Sequence, residues 1–319
     1  MQRIGLIVFA EFQLMGLNIA TVFELANRAA ESQLYDIRVL SERGGLVGTS
    51  NGITVDTAAF DDSVYDTLIV TGNMSYAPAS AAFIRFLKTA PDRTRRLAAI
   101  CSGAFFLAEA GLLDGRRATT HWARARELQT RFPNVKVEED RIFIADGMIW
   151  TSAGMTAGID LALAMVANDM GDKMAKLVAR TLVMFQRRSG GQSQHSALLE
   201  LDAKTDRIQR ALAFAKENLS APLSVEQLAE AAHLSPRQFS RAFRAETGQS
   251  PAKAVENLRV EAARLMMDQG RHSIDVVARE TGFADPERMR RAFRRAFGQS
   301  PQAIKRVVNA FAVPVGQVA

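Results

Sequence analysis

Up to about Gly171, short aliphatic and β-branched runs alternate with stretches of helical periodicity. Residues 4–9, 35–40, 53–56, 66–70 and 96–100 read as strands. Helices are expected over 17–30, 79–89 and 104–110. Residues 135–137, 142–144 and 148–150 are further strand candidates, and a helix over 157–168 closes the pattern. Strands alternating with helices predict a parallel sheet covered by helices on both faces. The first half is therefore expected to be an α/β domain.

After Asp172 the period changes. A helix is expected over 173–187, followed by a polar, Gly-rich stretch from Arg188 to His195. From about Thr205 the pattern is helical throughout, an all-α domain. The boundaries expected are a domain over 1–187, a linker over 188–204 and a second domain over 205–319.

The second domain repeats itself. Leu228 matches Val277 and Leu234 matches Phe283 at an offset of 49. Pro236 matches Pro286, Phe243 matches Phe293 and Gly248 matches Gly298 at an offset of 50, so the second copy gains one residue at its turn. Each copy, about 224–248 and 273–298, reads as helix, short turn, helix. Ser224 and Ser273 are N-cap residues for the first helices, and Ser224 has a capping-box partner in Gln227. Ser235 and Asp285 cap the second helices, with Pro236 and Pro286 at the first helical position, where the missing N–H costs nothing. Gly248 and Gly298 suit the left-handed residue that ends a helix. Phe239, Ala242 and Phe243, like Met289, Ala292 and Phe293, share a face expected to be core.

Charge sharpens this picture. The chain of 319 residues carries a formal net charge of +6. From Glu200 onward there are 19 Lys and Arg against 14 Asp and Glu, so nearly all of the excess lies in the helical domain, where a polyanion would be sought. No apolar run approaches the roughly 18 residues of a membrane span. The opening run is short for a secretion signal, and one cysteine, Cys101, excludes a disulfide framework. A soluble, cytoplasmic protein is expected, with no cofactor and no metal set.

The helical repeat has the form of two helix-turn-helix units, which place their second helices in the major groove of DNA. Arginine can pair with guanine and glutamine with adenine, while arginines further along reach phosphates. The residues expected at DNA are Ser235, Arg237, Gln238, Ser240, Arg241 and Arg244 in the first unit. In the second they are Asp285, Glu287, Arg288, Arg290, Arg291 and Arg294. The run Gly282 to Phe293, followed by Phe297-Gly298-Gln299-Ser300-Pro301, resembles the C-terminal signature of the AraC/XylS family of bacterial regulators. That resemblance covers about residues 205–308 and implies a promoter- or operator-binding transcription regulator that acts with RNA polymerase.

In the α/β half, residues 96–105 read as strand, sharp turn and helix around Cys101-Ser102-Gly103-Ala104. This is the form of a nucleophile elbow, and a helix N-terminus favours a thiolate. His121 follows 20 residues later and offers a base. The Cys101 turn, the run Gly111 to Trp122 and the run Thr151 to Asp160 resemble the PfpI-like branch of the class I glutamine-amidotransferase-like superfamily over about residues 3–185. The resemblance implies a flavodoxin-like fold, and the fusion resembles the GlxA-like group of regulators. Cys101 and His121 match that family's elbow cysteine and histidine. The acidic partner common in the family is not matched: Gly16, or Met15 in a shifted register, stands in its place, and Glu11 lies early on the loop. The expectation is therefore a sensor rather than an enzyme, with Cys101 and His121 as vestiges. A small metabolite is expected near Gly72, Asn73, Cys101, Ser102, His121, Gly154 and Met155. The group resembled is tied to nitrogen-containing metabolites, and a homodimer is expected. The alternative is a catalytically active PfpI-like cysteine hydrolase or amidotransferase fused to a DNA-binding domain.

Overall fold

The computed structural model describes residues 1–73, 78–184, 205–268 and 272–305, with Arg188, Gly190, Gln194, Leu201 and Ala203. The chain divides into two units, Met1–Gln194 and His195–Ala319.

The first unit is built on strands β1 (Gln2–Ile7), β2 (Tyr35–Ser41), β3 (Gly45–Gly48), β4 (Thr54–Ala59), β5 (Thr67–Val70) and β6 (Arg96–Ile100). These are followed by β7 (Arg117–Ala118), β8 (Lys136–Val137), β9 (Phe143–Asp146) and β10 (Ile149–Ser152). Eight strands form one sheet in the order β3-β4-β2-β1-β5-β6-β10-β9, while β7 and β8 pair separately. The six strands from β4 to β10 run parallel; the edge strands β3 and β9 are antiparallel to their neighbours. The unit is thus an α/β domain with a mainly parallel sheet. The hairpin strand β3 was not legible in the pattern, because Gly45–Gly48 carries only two apolar residues, and Leu46 is exposed.

Helices α1 (Asn18–Ala29), α2 (Ala81–Thr89), α3 (Gly103–Glu109), α4 (Trp122–Arg131), α5 (Thr156–Met170) and α6 (Asp172–Thr181) cover the sheet. Strand β6 shows why both faces are dry. Leu97 and Ala99 join Phe83, Leu87, Phe105 and Phe106 on one side, while Ala98 and Ile100 join Ile19, Phe23, Leu161 and Val166 on the other. Side chains alternate along a strand, so a strand covered on both faces is apolar on both, or pairs the charge it buries. At the other end of β6, the buried Arg96 meets the equally buried Asp169 at 2.6 Å, a pair sealed by Tyr35.

The helix expected over 173–187 is shorter, ending at Thr181. Val183 takes a left-handed conformation at φ 56°, and Val183 and Met184 donate back to Arg180 and Ala179, which closes the helix end. Residues 185–187 lie outside the described residues.

Nor is the stretch expected as a linker free of the first unit at its start. Arg188 donates from its backbone N–H and its guanidinium to the fully buried Asp160 carboxylate. A Cβ on Gly190 would stand 2.5 Å from the Phe143 carbonyl oxygen, so only glycine fits there. The Gln194 amide donates to the Thr120 and Arg141 carbonyls at 2.9 and 3.0 Å.

The second unit comprises α7 (Asp206–Glu217), α8 (Val225–Ala231), α9 (Pro236–Thr247), α10 (Pro251–Asp268), α11 (Ile274–Glu280) and α12 (Pro286–Phe297). It has two cores. Leu228, Phe239 and Phe243 pack with Ile208, Leu212 and Leu258; Val277, Met289 and Phe293 pack with Val260, Ala263 and Met267. The long helix α10 serves both, its first half lining one core and its second half the other.

Candidate functional site: a paired helical reader and an elbow cysteine

The two helical repeats fold alike down to single hydrogen bonds. In the first turn Leu234 N–H donates to the Ala229 carbonyl, and in the second Phe283 N–H donates to the Ala278 carbonyl. His233 and Gly282 hold the same left-handed position in the two turns, at φ 53° and 77°. Histidine there carries the strain that glycine avoids.

Capping is as the spacing predicts, with one addition. Ser224 and Gln227 form a capping box, and so do Ser235 and Gln238. The Gln238 side-chain oxygen accepts from the Ser235 backbone N–H at 3.3 Å and from its hydroxyl at 2.8 Å. Gln238 and Ser235, expected at DNA, are thus engaged with each other at the helix start. Asp285 likewise accepts from Glu287 N–H at 2.9 Å. Gly248 and Gly298 end α9 and α12 in the left-handed conformation.

The reading faces are cationic. Arg237, Arg241 and Arg244 are exposed, Ser240 is half-buried, and the first three border an open concavity of about 470 Å³ together with Ser240, Val225 and the start of α10. That edge combines arginines with helix N-termini, the arrangement that accepts phosphate. In α12, Arg288, Arg291 and Arg294 are exposed, whereas Arg290 is half-buried and bound at both guanidinium edges by Glu287 at 2.5 and 2.6 Å. Opposite them, Phe239, Phe243, Met289, Ala292 and Phe293 are buried, while Ala242 is only partly so.

In the first unit, the elbow forms where β6 runs into α3. Cys101 sits at φ 54°, the strained conformation of a residue lifted between a strand and a helix. Glycines press on it from two sides. A Cβ on Gly72 would stand 2.8 Å from the Cys101 Cβ, and one on Gly154 2.2 Å. Cys101 N–H donates to the Ser152 carbonyl, and the Thr120 hydroxyl donates to the Cys101 carbonyl at 2.7 Å. Of the residues expected at the ligand, Gly72, Asn73, Cys101, Ser102 and Gly154 come together around this turn.

They do not all face outward. Ser102 is fully buried and its hydroxyl is held by the Asn73 backbone and side chain. Met155, at φ 51°, is 41% exposed. His121 caps α4, its Nδ1 accepting from Ala123 N–H at 3.3 Å, which directs one ring nitrogen to the backbone. Residues 74–77, next to Asn73, lie outside the described residues.

Burial pushes the Cys101 thiol above its ordinary value, against the smaller opposing pull of the Ser102 backbone N–H and the Arg124 charge. Among the described residues, no carboxylate contributes to this shift. Gly16, at the position expected to lack the acid, packs on Thr71: a Cβ there would stand 3.2 Å from the Thr71 side chain.

Sequence reasoning missed three contributors. Trp122, 52% exposed beside His121, has its backbone N–H bonded to the Gln194 side chain. Arg124 lies over the Phe105 ring, 4.8 Å from its centroid, and helix α4 itself was read only as the Thr119–Trp122 run. The cue for α4 was present in its polar, Ala- and Arg-rich composition, but it carries few apolar residues to show a period.

Comparison with known proteins agrees with both units. The DJ-1/PfpI family model matches residues 2–168 and a helix-turn-helix domain model matches residues 228–306. The chain is 32% identical over 322 residues to the HTH-type transcriptional regulator GlxA of Rhizobium meliloti, covering 96% of each. It is also 35% identical over 136 residues to an isonitrile hydratase of Pseudomonas putida, covering 41% of this chain and 58% of that one. A crystal structure of an AraC family transcriptional regulator from Pseudomonas putida superposes with a TM-score of 0.52 at 23% identity, over 57% of this chain and all of the other.

Proposed function

Since the chain belongs to the DJ-1/PfpI family through its first unit and, with its AraC-type helix-turn-helix unit, to the GlxA-like transcription regulators, we propose that it is a DNA-binding regulator whose α/β unit senses a small metabolite. The regulator role carries over from the full-length relative. The carrying observation for DNA is the pair of capped helices, α9 and α12, each with a buried apolar face and an exposed arginine face. Arg237, Arg241 and Arg244 serve the first half of an operator, and Arg288, Arg290, Arg291 and Arg294 the second. Ser235, Gln238, Asp285 and Glu287 hold the helix starts, and Ser240 lies between. The sensor spans about residues 1–194, seven beyond the boundary expected from the sequence, and the reader about 205–319. The protein acts in the cytoplasm as a homodimer that recruits or obstructs RNA polymerase.

The effector site is read at the C-terminal ends of the parallel strands, where ligands bind in open α/β sheets. Gly72, Cys101, His121, Gly154 and Met155 line it, with Trp122; Asn73 and Ser102 brace it from beneath. The effector would be a nitrogen-containing metabolite, as in the group the chain belongs to. A buried thiol whose pKa is raised, with no carboxylate partner among the described residues, suits recognition and opposes nucleophilic catalysis. The likeness to an isonitrile hydratase, over 41% of this chain, supports the second reading, a catalytically active PfpI-like cysteine hydrolase or amidotransferase fused to a DNA-binding domain.

Occupancy has a physical route outward. Arg188, Gly190 and Gln194 fasten the segment leaving the sensor to α5 (through Asp160), to β9 and to the Thr119–Trp122 turn. The same turn touches the elbow through Thr120, so a ligand that shifts it changes the hold on the exit. The test is a thermal-shift screen of nitrogenous metabolites on the full chain, repeated with Cys101→Ala. A shift abolished by the substitution, with operator binding kept and no turnover, supports the sensor. Turnover lost on substitution supports the enzyme.

A further inference from the structure

Among the described residues the reader has two separate cores, and helix α10 alone contributes to both. A single helix joining two small cores can bend or twist, so the separation of the reading helices needs another restraint. Arg259 occupies the junction. Its neighbour Leu258 belongs to the first core and Val260 to the second. Its guanidinium reaches back to the loop after α7, donating from Nε to the Leu219 carbonyl at 3.1 Å and from its terminal nitrogen to the Ala221 carbonyl at 2.7 Å.

Gly282, the turn residue of the second repeat, closes on the same point. A Cβ there would stand 1.9 Å from the Leu219 oxygen, 2.8 Å from the Arg259 Nε and 3.0 Å from its Cζ. The turn backbone of the second repeat therefore lies directly against the backbone entering the first, with the planar guanidinium beside both. A second brace crosses nearby, where Arg295 of α12 binds Glu256 of α10 at 2.6 Å.

We infer that Arg259 is a positioning residue that, with Gly282, locks the two helix-turn-helix units into one rigid reader and so sets the spacing of half-sites the protein accepts. Arg259 touches no base in this role; it acts through the turn it holds. A fork with two donors fits two carbonyls, and a lysine ammonium cannot reproduce that planar arrangement. The expected phenotype is a loss of spacing discrimination and not a uniform loss of affinity.

The experiment uses the full chain and a duplex selected with it from random sequences. Two base pairs are inserted between the protected halves, which turns one half about 70° around the helix axis. The wild-type protein should lose at least about tenfold in affinity, the scale of one forfeited set of base contacts. Arg259→Ala should bind a duplex bearing only the first half as well as wild type does, yet discriminate the two spacings by less than about threefold. Arg259→Lys should fall between, and it decides the matter if the alanine variant does not fold. Unchanged discrimination in the folded variant, or a wild type indifferent to the insertion, would overturn the assignment.

Discussion

Ser102 and Asn73 are locked to each other: the Asn73 N–H donates to Ser102 Oγ at 2.7 Å, and the hydroxyl stands 2.9 Å from both Asn73 oxygens. The pair ties the end of β5 to the residue after the elbow cysteine, beneath the proposed effector site. Ser102→Ala leaves the Asn73 N–H buried without that acceptor. It should cost about 1–3 kcal/mol in a denaturant titration of the first unit. An unchanged midpoint would mean that the pair contributes nothing to the elbow.

Cys101 should react slowly. Burial raises its thiol, so the thiolate fraction at neutral pH is small and alkylation should quicken about tenfold per pH unit up to and past the ordinary thiol value. The sign for stability follows: the folded state keeps the proton longer than the unfolded chain, so stability holds below the unfolded value and falls as pH rises beyond it. Alkylation kinetics that reach a plateau by pH 7 would contradict the protonated thiol and favour the enzyme.

On the reader, Arg241→Ala and Arg290→Ala should each weaken specific binding by about 1–3 kcal/mol at fixed salt. Arg290 starts from a bidentate pair with Glu287. Glu287→Ala should therefore leave a freer arginine, with affinity kept and sequence selectivity relaxed. If titration of selected and scrambled duplexes shows all three variants unchanged, these helices do not face the bases.

The strap at the sensor exit makes a separate prediction. Arg188→Ala removes the cation from a fully buried Asp160 carboxylate, a loss of about 3–5 kcal/mol for a pair broken from one side. Gln194→Ala removes four donor contacts to carbonyls and a hydroxyl around Thr119–Arg141 but buries no charge. That variant should stay folded by circular dichroism and lose effector control of operator binding. Normal control in a reporter assay would show that the strap is only an anchor.

At the opposite end of the sheet, Asp169→Ala should cost a similar amount, about 3–5 kcal/mol, because Arg96 is as buried as its partner. Being remote from the elbow, it should leave the effector response of the surviving folded protein intact, as a thermal-shift titration can check.

Much of the reader was legible because its signals are local. Caps, the proline at the first helical turn, the closing glycine and the apolar face of α9 and α12 all lie within a dozen residues, the range over which helical period and end chemistry act. The same holds for β6 and the elbow, where the apolar run over 97–100, cut short by a Cys-Ser-Gly turn, suits a strand covered on both sides. The weakly patterned elements, β3 and α4, escaped because few apolar residues mark their period.

What the chain alone determined, then, is the kind of each strongly patterned element, the two-unit plan, and which residues carry charge on the reading helices. Only the folded molecule decided that Ser102 and Asn73 satisfy each other, that Gly72 and Gly154 close on Cys101, that Arg188 and Gln194 belong to the sensor, and that Arg259 stands between two cores. Those relationships join residues tens of positions apart, through hydrogen bonds and close backbone approach. No periodicity records such a meeting; it exists once the strands are ordered and the helices are laid on them.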